Sequence, residues 1–222
     1  MSTLVLRLAG PMQSWGLRSR YTHRDTWDYP TFSGVVGLLS AALGRQRGSD
    51  CSDLATLDMI VRVDRTGERM TDYHTATDAA GKTALSNRDY LADACFTVAL
   101  AGDSVLVDRL ADALRRPVFQ LSLGRRACVP AQPVLLGVHD GDADTALAEF
   151  PYEGGSDGTL VRTVIGTDTS ARDSSVVWDI PYARDGHWHY RPRTVAVERP
   201  THTATVGTDG TADFDPFDIA GA

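Results

Sequence analysis

The sequence predicts an α+β fold with the element order β-α-β-β-α-β. Three patterns carry that reading. Leu4, Leu6 and Leu8 alternate with Val5 and Arg7, and Ala94, Phe96, Val98 and Leu100 alternate with Asp93, Cys95, Thr97 and Ala99, as strands do. Val35, Leu38, Leu39, Ala42 and Leu43 recur at helical spacing. Val107, Leu110, Ala111 and Leu114 do so again between Asp103 and Pro117.

Taken in order, Thr3–Ala9 reads as a half-buried strand. It leaves through GPMQSWG, a loop that keeps Trp15 where a loop ordinarily sheds apolar bulk. Ser33 can cap a helix over Gly34–Leu43, with Gly44 just past its end. Gly34 and Gly37 each cost that helix about 1 kcal/mol against alanine, which close approach of a backbone or a ligand would offset. The amides at Ser33 and Gly34 could also hold a phosphate. Strands are expected at Met59–Arg65 and Arg69–Thr75, and then residues 76–90 are small, polar and aperiodic. The second helix ends in Arg115 and Arg116 before Pro117, and Val118–Leu121 reads as the last strand. The order is ferredoxin-like, or RRM-like, with an arm inserted between its middle strands.

The first unit is thus expected over 1–136, with the arm at about 76–90. A small β-rich C-terminal extension over 137–199 would pack on it. It holds a short helix at Asp142–Phe150 and strands at Val176–Ile180 and Tyr190–Val197. Residues 200–222 are acidic and aperiodic and read as a disordered tail.

Composition removes several classes of function. No apolar run approaches a membrane span, and the short apolar start has no basic lead-in, so neither membrane nor signal peptide is expected. Cys51, Cys95 and Cys128 are too scattered for zinc and read as free thiols in a reducing cytoplasm. HDGDADT resembles a calcium loop, but Thr145 stands where glycine belongs and Pro151 where the bidentate Glu belongs, so it reads as a solvated helix start. His187-Trp188-His189 offers two histidines on one side of a strand without an evident third ligand. No metal, cofactor or catalytic residue is expected, and the RNP1 octapeptide of RRM proteins is absent.

The net charge of −7 is unevenly placed: residues 1–136 carry 16 basic and 14 acidic side chains, and 137–222 carry 6 and 15. A basic surface is therefore available on the N-terminal part. Lys82 is the one lysine among 22 basic residues. Arginine suits phosphate forks and base stacking, though a GC-rich genome would give the same bias. Gln13, Ser14 and Trp15 next to Arg18, Arg20 and Arg24 combine a stacking face, edge-reading groups and phosphate partners. The plainer alternative is a turn whose Trp15 folds onto the core. SLGRRACVPAQPV adds a second such loop, with Gly124, Arg125 and Arg126.

LRLAGPMQSWG, YPTFSGVVGLLSAALGRQRG, DYHTA, NRDYLADACFTVAL and ALRRPVFQLSLGRRACVPAQPV together closely resemble the CasD family, the Cas-five subunit of the type I-E CRISPR Cascade complex. The blocks run from Leu4 to Val134; DIPY and HYRPRTV match loosely, and the tail does not match. The resemblance implies a RAMP-type fold whose inserted arm is a thumb. It implies a non-catalytic, cytoplasmic subunit for antiviral defence that binds the 5′ handle of the CRISPR RNA. Its partners would be a CasC-like backbone subunit and a CasA-like large subunit, with target DNA engaged through the complex. The RNA-binding residues it implies are Gln13, Ser14, Trp15, Gly16, Arg18, Arg20, Ser33, Gly34, Arg45, Arg47, His74, Lys82, Arg88, Gly124, Arg125 and Arg126. Two rivals stand beside it: a metal-independent endoribonuclease acting on repeat RNA through His74, Lys82 and Tyr90, and a scaffold whose arginines meet acidic proteins.

Overall fold

The computed structural model describes residues 1–16, 23–77, 79–81, 83–150, 159–164 and 174–198. Arg18, Arg20, Lys82 and the tail at 200–222 lie outside them. The fold mixes helices and strands, with strands predominating.

β1 (Ser2–Ala9) is central, so the half-buried strand expected from its alternation is buried on both faces: Val5 is as deeply covered as Leu4, Leu6 and Leu8. It pairs antiparallel with β7 (Cys95–Gly102) on one side and β8 (Leu135–Asp140) on the other. β4 (Asp58–Arg65) pairs antiparallel with the far edge of β7, and then β9 (Thr159–Val164) extends the sheet. β10 (Ser174–Arg184) and β11 (His187–Glu198) form a hairpin that completes seven strands, in the order β10-β11-β9-β4-β7-β1-β8.

α1 (Phe32–Ala42) and α2 (Ser104–Arg115) share the main core with one face of the sheet. α3 (Ala143–Glu149) covers the other, where Ala143 and Leu147 meet Ile60, Ala99 and Ala101. Asp142 caps α3 by accepting from the Thr145 amide at 2.9 Å, so HDGDADT is a helix start. α1 begins earlier than expected. Its cap is Thr31, whose hydroxyl accepts from the Gly34 amide, and Ser33 lies inside the first turn.

Two segments depart from the expected order. Val118–Leu121 is not a strand: the Val118 and Phe119 amides donate to the Ala42 and Ala41 carbonyls at 3.0 and 3.1 Å, closing the C-terminal end of α1. The strand beside β1 is β8 instead, which crosses residue 136. Residues 83–90 are not aperiodic either. They open β6 (Thr83–Ala92), which pairs along its whole length with β5 (Glu68–Thr77) in a long hairpin. Its other neighbours are β2 (Met12–Gln13) and β3 (His23–Arg24), making a second, four-stranded sheet. No helix among the described residues is long and apolar enough to cross a membrane.

Candidate nucleic-acid interface

The loop after β1 is built inward. Gln13 is fully buried; its amide donates to the Leu8 and Ala94 carbonyls at 2.9 and 2.7 Å and accepts the Trp15 indole N–H at 3.1 Å. Trp15 is 1 % exposed and lies under α1, where a Cβ on Gly34 would come within 2.7 Å of the indole. Gly34 therefore offsets its propensity cost by admitting a core tryptophan. The Trp15 ring has no free face for a base, and Gln13 has no free amide. Ser14 is equally committed: its hydroxyl donates to the Asp89 carbonyl, and its amide to that of Leu123.

The 122–128 loop lies directly against this one. Gly124 has φ +88, and a Cβ there would collide with the Ser14 carbonyl oxygen. Arg125, half-buried, stacks over Tyr90 at 4.6 Å and donates to the Asp89 and Arg24 carbonyls at 3.0 and 2.7 Å. Its guanidinium fastens the loops together and is largely consumed in doing so. Arg126 is exposed and has no acidic partner among the described residues.

Above these loops lie two adjoining clefts of about 600 and 700 Å³. They share Ser33, Gly34, Arg47, Gly124 and Tyr190 and so form one groove. Arg24 and Arg125 line its first half, with Asp25 as the acidic group there; Arg126, Arg45 and His187 line the second. Arg24 and Arg47, like Arg126, are exposed without an acidic partner among the described residues. Arg45 instead grips Asp53 through both nitrogens, one at 2.6 Å; that hydrogen bond holds the Asp53 carboxyl below its ordinary range.

Of the two amides expected to be free at the start of α1, that of Gly34 donates to the Thr31 hydroxyl at 3.3 Å. The Phe32 amide donates to Asp179 at 2.7 Å, and Asp179 is paired with Arg193 at 2.6 and 2.9 Å in the core. The positive end of α1 thus already holds a carboxylate.

The groove assembles Ser14, Trp15, Gly16, Ser33, Gly34, Arg45, Arg47, Gly124, Arg125 and Arg126 of the expected residues. Gln13 lies beneath it. His74 and Arg88 do not line it: they sit on the β5–β6 hairpin, His74 bonded to Asp72 at 2.8 Å and Arg88 to Ser86 at 3.3 Å. Sequence reasoning missed the far wall, which the β10–β11 hairpin supplies through Trp188 and the exposed Tyr190. Asp185-Gly186, both at positive φ, is the turn signature that could have revealed that hairpin. The Trp188 indole donates to the Ser49 carbonyl at 2.9 Å and secures the wall beside Arg47.

The profile of the family described as CRISPR-associated protein (Cas_Cas5) matches residues 3–196. This chain belongs to that family. It is 38 % identical over 180 residues to the CRISPR system Cascade subunit CasD of Escherichia coli (strain K12), covering 69 % of this chain and 79 % of that one. A solved CRISPR RNA-guided surveillance complex contains a chain of similar fold, with TM-score 0.74, 35 % identity and 89 % of each chain covered. A crystal structure of a Cas protein superposes with TM-score 0.69 at 40 % identity, covering 89 % of this chain and 94 % of that one.

Proposed function

We propose that this chain is a Cascade subunit that holds the 5′ handle of the CRISPR RNA in the groove and does not cut it. The observation that carries the reading is a groove with three exposed arginines, Arg24, Arg47 and Arg126, that no acidic side chain among the described residues neutralises. Such groups meet phosphates in water and release counterions on doing so. Tyr190, 41 % exposed on the groove wall, offers a ring on which an unpaired base can stack. Gly124 lets the 122–128 loop close directly onto the Ser14 carbonyl, which sets the position of Arg126 at the groove. The buried Gln13, Trp15 and Arg125 act one layer down, fixing the two loops that set the arginines apart. Handle recognition would be the protein's task, and base pairing by the guide would read the target DNA.

The core fits a RAMP-type ferredoxin-like unit: β1 and β4 are parallel with β7 between them, β8 lies outside β1, and α1 and α2 lie on one face. On that reading the β5–β6 hairpin is the thumb. A CasC-like backbone subunit and a CasA-like large subunit are the partners the family suggests.

Acid–base cleavage requires two titratable groups within about 3 Å of their target atoms. His74 is bound to Asp72 on the hairpin, away from the groove; of the described histidines, His187 lines it, beside Tyr190. The test is labelled repeat RNA with excess purified protein in chelator, with this chain as the one protein present. Retention of intact RNA is expected. Site-specific cleavage that is lost in His187→Ala would overturn the non-catalytic reading.

A further inference from the structure

We propose that Asp53 positions Arg45 to take one phosphate of the RNA, and that this pair sets which phosphate enters the second half of the groove. The inference rests on the groove being the RNA site. Arg45 lines the second cleft, yet it differs from Arg24, Arg47 and Arg126 in being held. Its Nη1 donates to the Asp53 carboxylate at 2.6 Å and to the Asp50 carbonyl at 3.1 Å, and its Nη2 donates to the other Asp53 oxygen. A guanidinium has five N–H groups. Three are used here. The other two, Nε–H and the second Nη2–H, share one edge of the group and have no partner among the described residues. That edge is a complete fork for a phosphate.

The mount is fixed on both sides. The Arg45 amide donates to the Ser40 carbonyl at 2.9 Å, just past α1. Towards Asp53, the Ser49 carbonyl accepts the Trp188 indole at 2.9 Å and the Cys51 thiol donates to the Pro181 carbonyl at 3.4 Å, which ties the segment to the β10–β11 hairpin. The groove thereby holds two kinds of arginine. Exposed, unpaired ones attract any phosphate, whereas a guanidinium clamped by a carboxylate accepts one phosphate in one geometry. Two effects of Asp53 oppose each other. Clamping spares the ordering of a long side chain on binding, worth about two- to tenfold in affinity. The carboxylate also repels the phosphate across the guanidinium, which in water-exposed, screened surroundings costs under about twofold. Positioning wins, and removing the carboxylate weakens binding by about threefold.

The test uses the full chain and fluorescein-labelled handle RNA in which each phosphate is replaced in turn by an uncharged methylphosphonate. Affinities are measured for the parent, Asp53→Asn, Arg45→Ala, Arg45→Lys and D53N/R45A, with a thermal melt of each. We expect Asp53→Asn to weaken binding of unmodified RNA about threefold and Arg45→Ala about tenfold, with D53N/R45A equal to Arg45→Ala. One methylphosphonate position should weaken the parent about tenfold, weaken Asp53→Asn less, and leave Arg45→Ala unaffected. A merely structural role for Asp53 would lower affinity for every RNA alike. Arg45→Lys keeps the charge and loses the fork, so it should behave as Arg45→Ala in the scan; it decides the question if Asp53→Asn does not melt cooperatively. Tighter binding by Asp53→Asn would make Asp53 a competitor for Arg45. A loss from Asp53→Asn that persists in the Arg45→Ala background would make it a residue of the fold. Either result, or a parental scan in Arg45→Lys, would overturn the proposal and leave the groove as the RNA site. A parent chain that binds no handle RNA would remove the groove reading and the proposal with it.

Discussion

Replacing Asp179 with alanine should destabilise the protein more than any single change to the groove arginines. Asp179 and Arg193 are buried, their side chains 1 % and 6 % exposed, and the same carboxylate accepts the Phe32 amide at the start of α1. Removing one partner of a buried pair leaves the other charged in the core and costs about 3–5 kcal/mol. The orphaned Phe32 amide accounts for about 1–3 kcal/mol within that loss. For a chain of this size 1 kcal/mol moves Tm by about 2–4 °C, so a loss near 4 kcal/mol should lower Tm by about 8–16 °C. The variant D179L/R193M removes the stranded charge and keeps only the amide defect. It should be more stable than Asp179→Ala by about 2 kcal/mol. Urea titrations followed by tryptophan fluorescence, with calorimetry, give both numbers. Asp179→Ala melting within about 2 °C of the parent, or a double variant losing the sum of the two singles, would refute the reasoning.

Three further outcomes follow from the same geometry. Gly124→Ala should lose several kcal/mol and its RNA binding, because φ +88 disfavours a side chain and the Cβ would overlap the Ser14 carbonyl; a folded variant with parental RNA affinity would contradict this. Gly34→Ala should displace the indole of Trp15 and redden its emission, with an unshifted spectrum as the contrary result. Burial raises the Asp89 carboxyl, but hydrogen bonds from Thr71 at 2.8 Å and His23 at 2.9 Å outweigh it and leave the group below its ordinary value. A depressed folded pKa means that its stabilisation is present above the unfolded value of about 4 and is lost as pH falls through the folded one. Asp89→Asn should therefore cost stability at pH 7 and progressively less below pH 4; a deficit independent of pH would count against the bond network.

The elements legible in the sequence were those whose periodicity faces a core. β1, β4, β7, α1 and α2 each carry an apolar stripe that packing rewards, and they stand within a few residues of their expected places. β6 was not legible, because Thr83, Ala84, Leu85 and Ser86 are held by pairing to β5 and not by burial; Leu85 is 63 % exposed. Val118 and Phe119 have a strand's composition, yet their amides satisfy the end of α1, a tertiary demand that local pattern does not announce. At the site the residue types were informative and their depth was not. GPMQSWG and SLGRR do form one structure, but Trp15, Gln13 and Arg125 build it from beneath. Arg126 and Arg47 face the groove. Asp179 and Arg193 stood in DIPY and HYRPRTV, the two loosest matches, and join only through the β10–β11 pairing.

The most direct test of the groove as an RNA site is the salt dependence of handle-RNA affinity in the parent, in R47A/R126A and in Arg125→Ala. Each lost phosphate contact should lower the slope of log K against log salt by about one unit. R47A/R126A should therefore melt with the parent and lose about two units, while Arg125→Ala should lose stability first, its bonds being to protein carbonyls. An unchanged slope in a folded R47A/R126A variant would contradict the account.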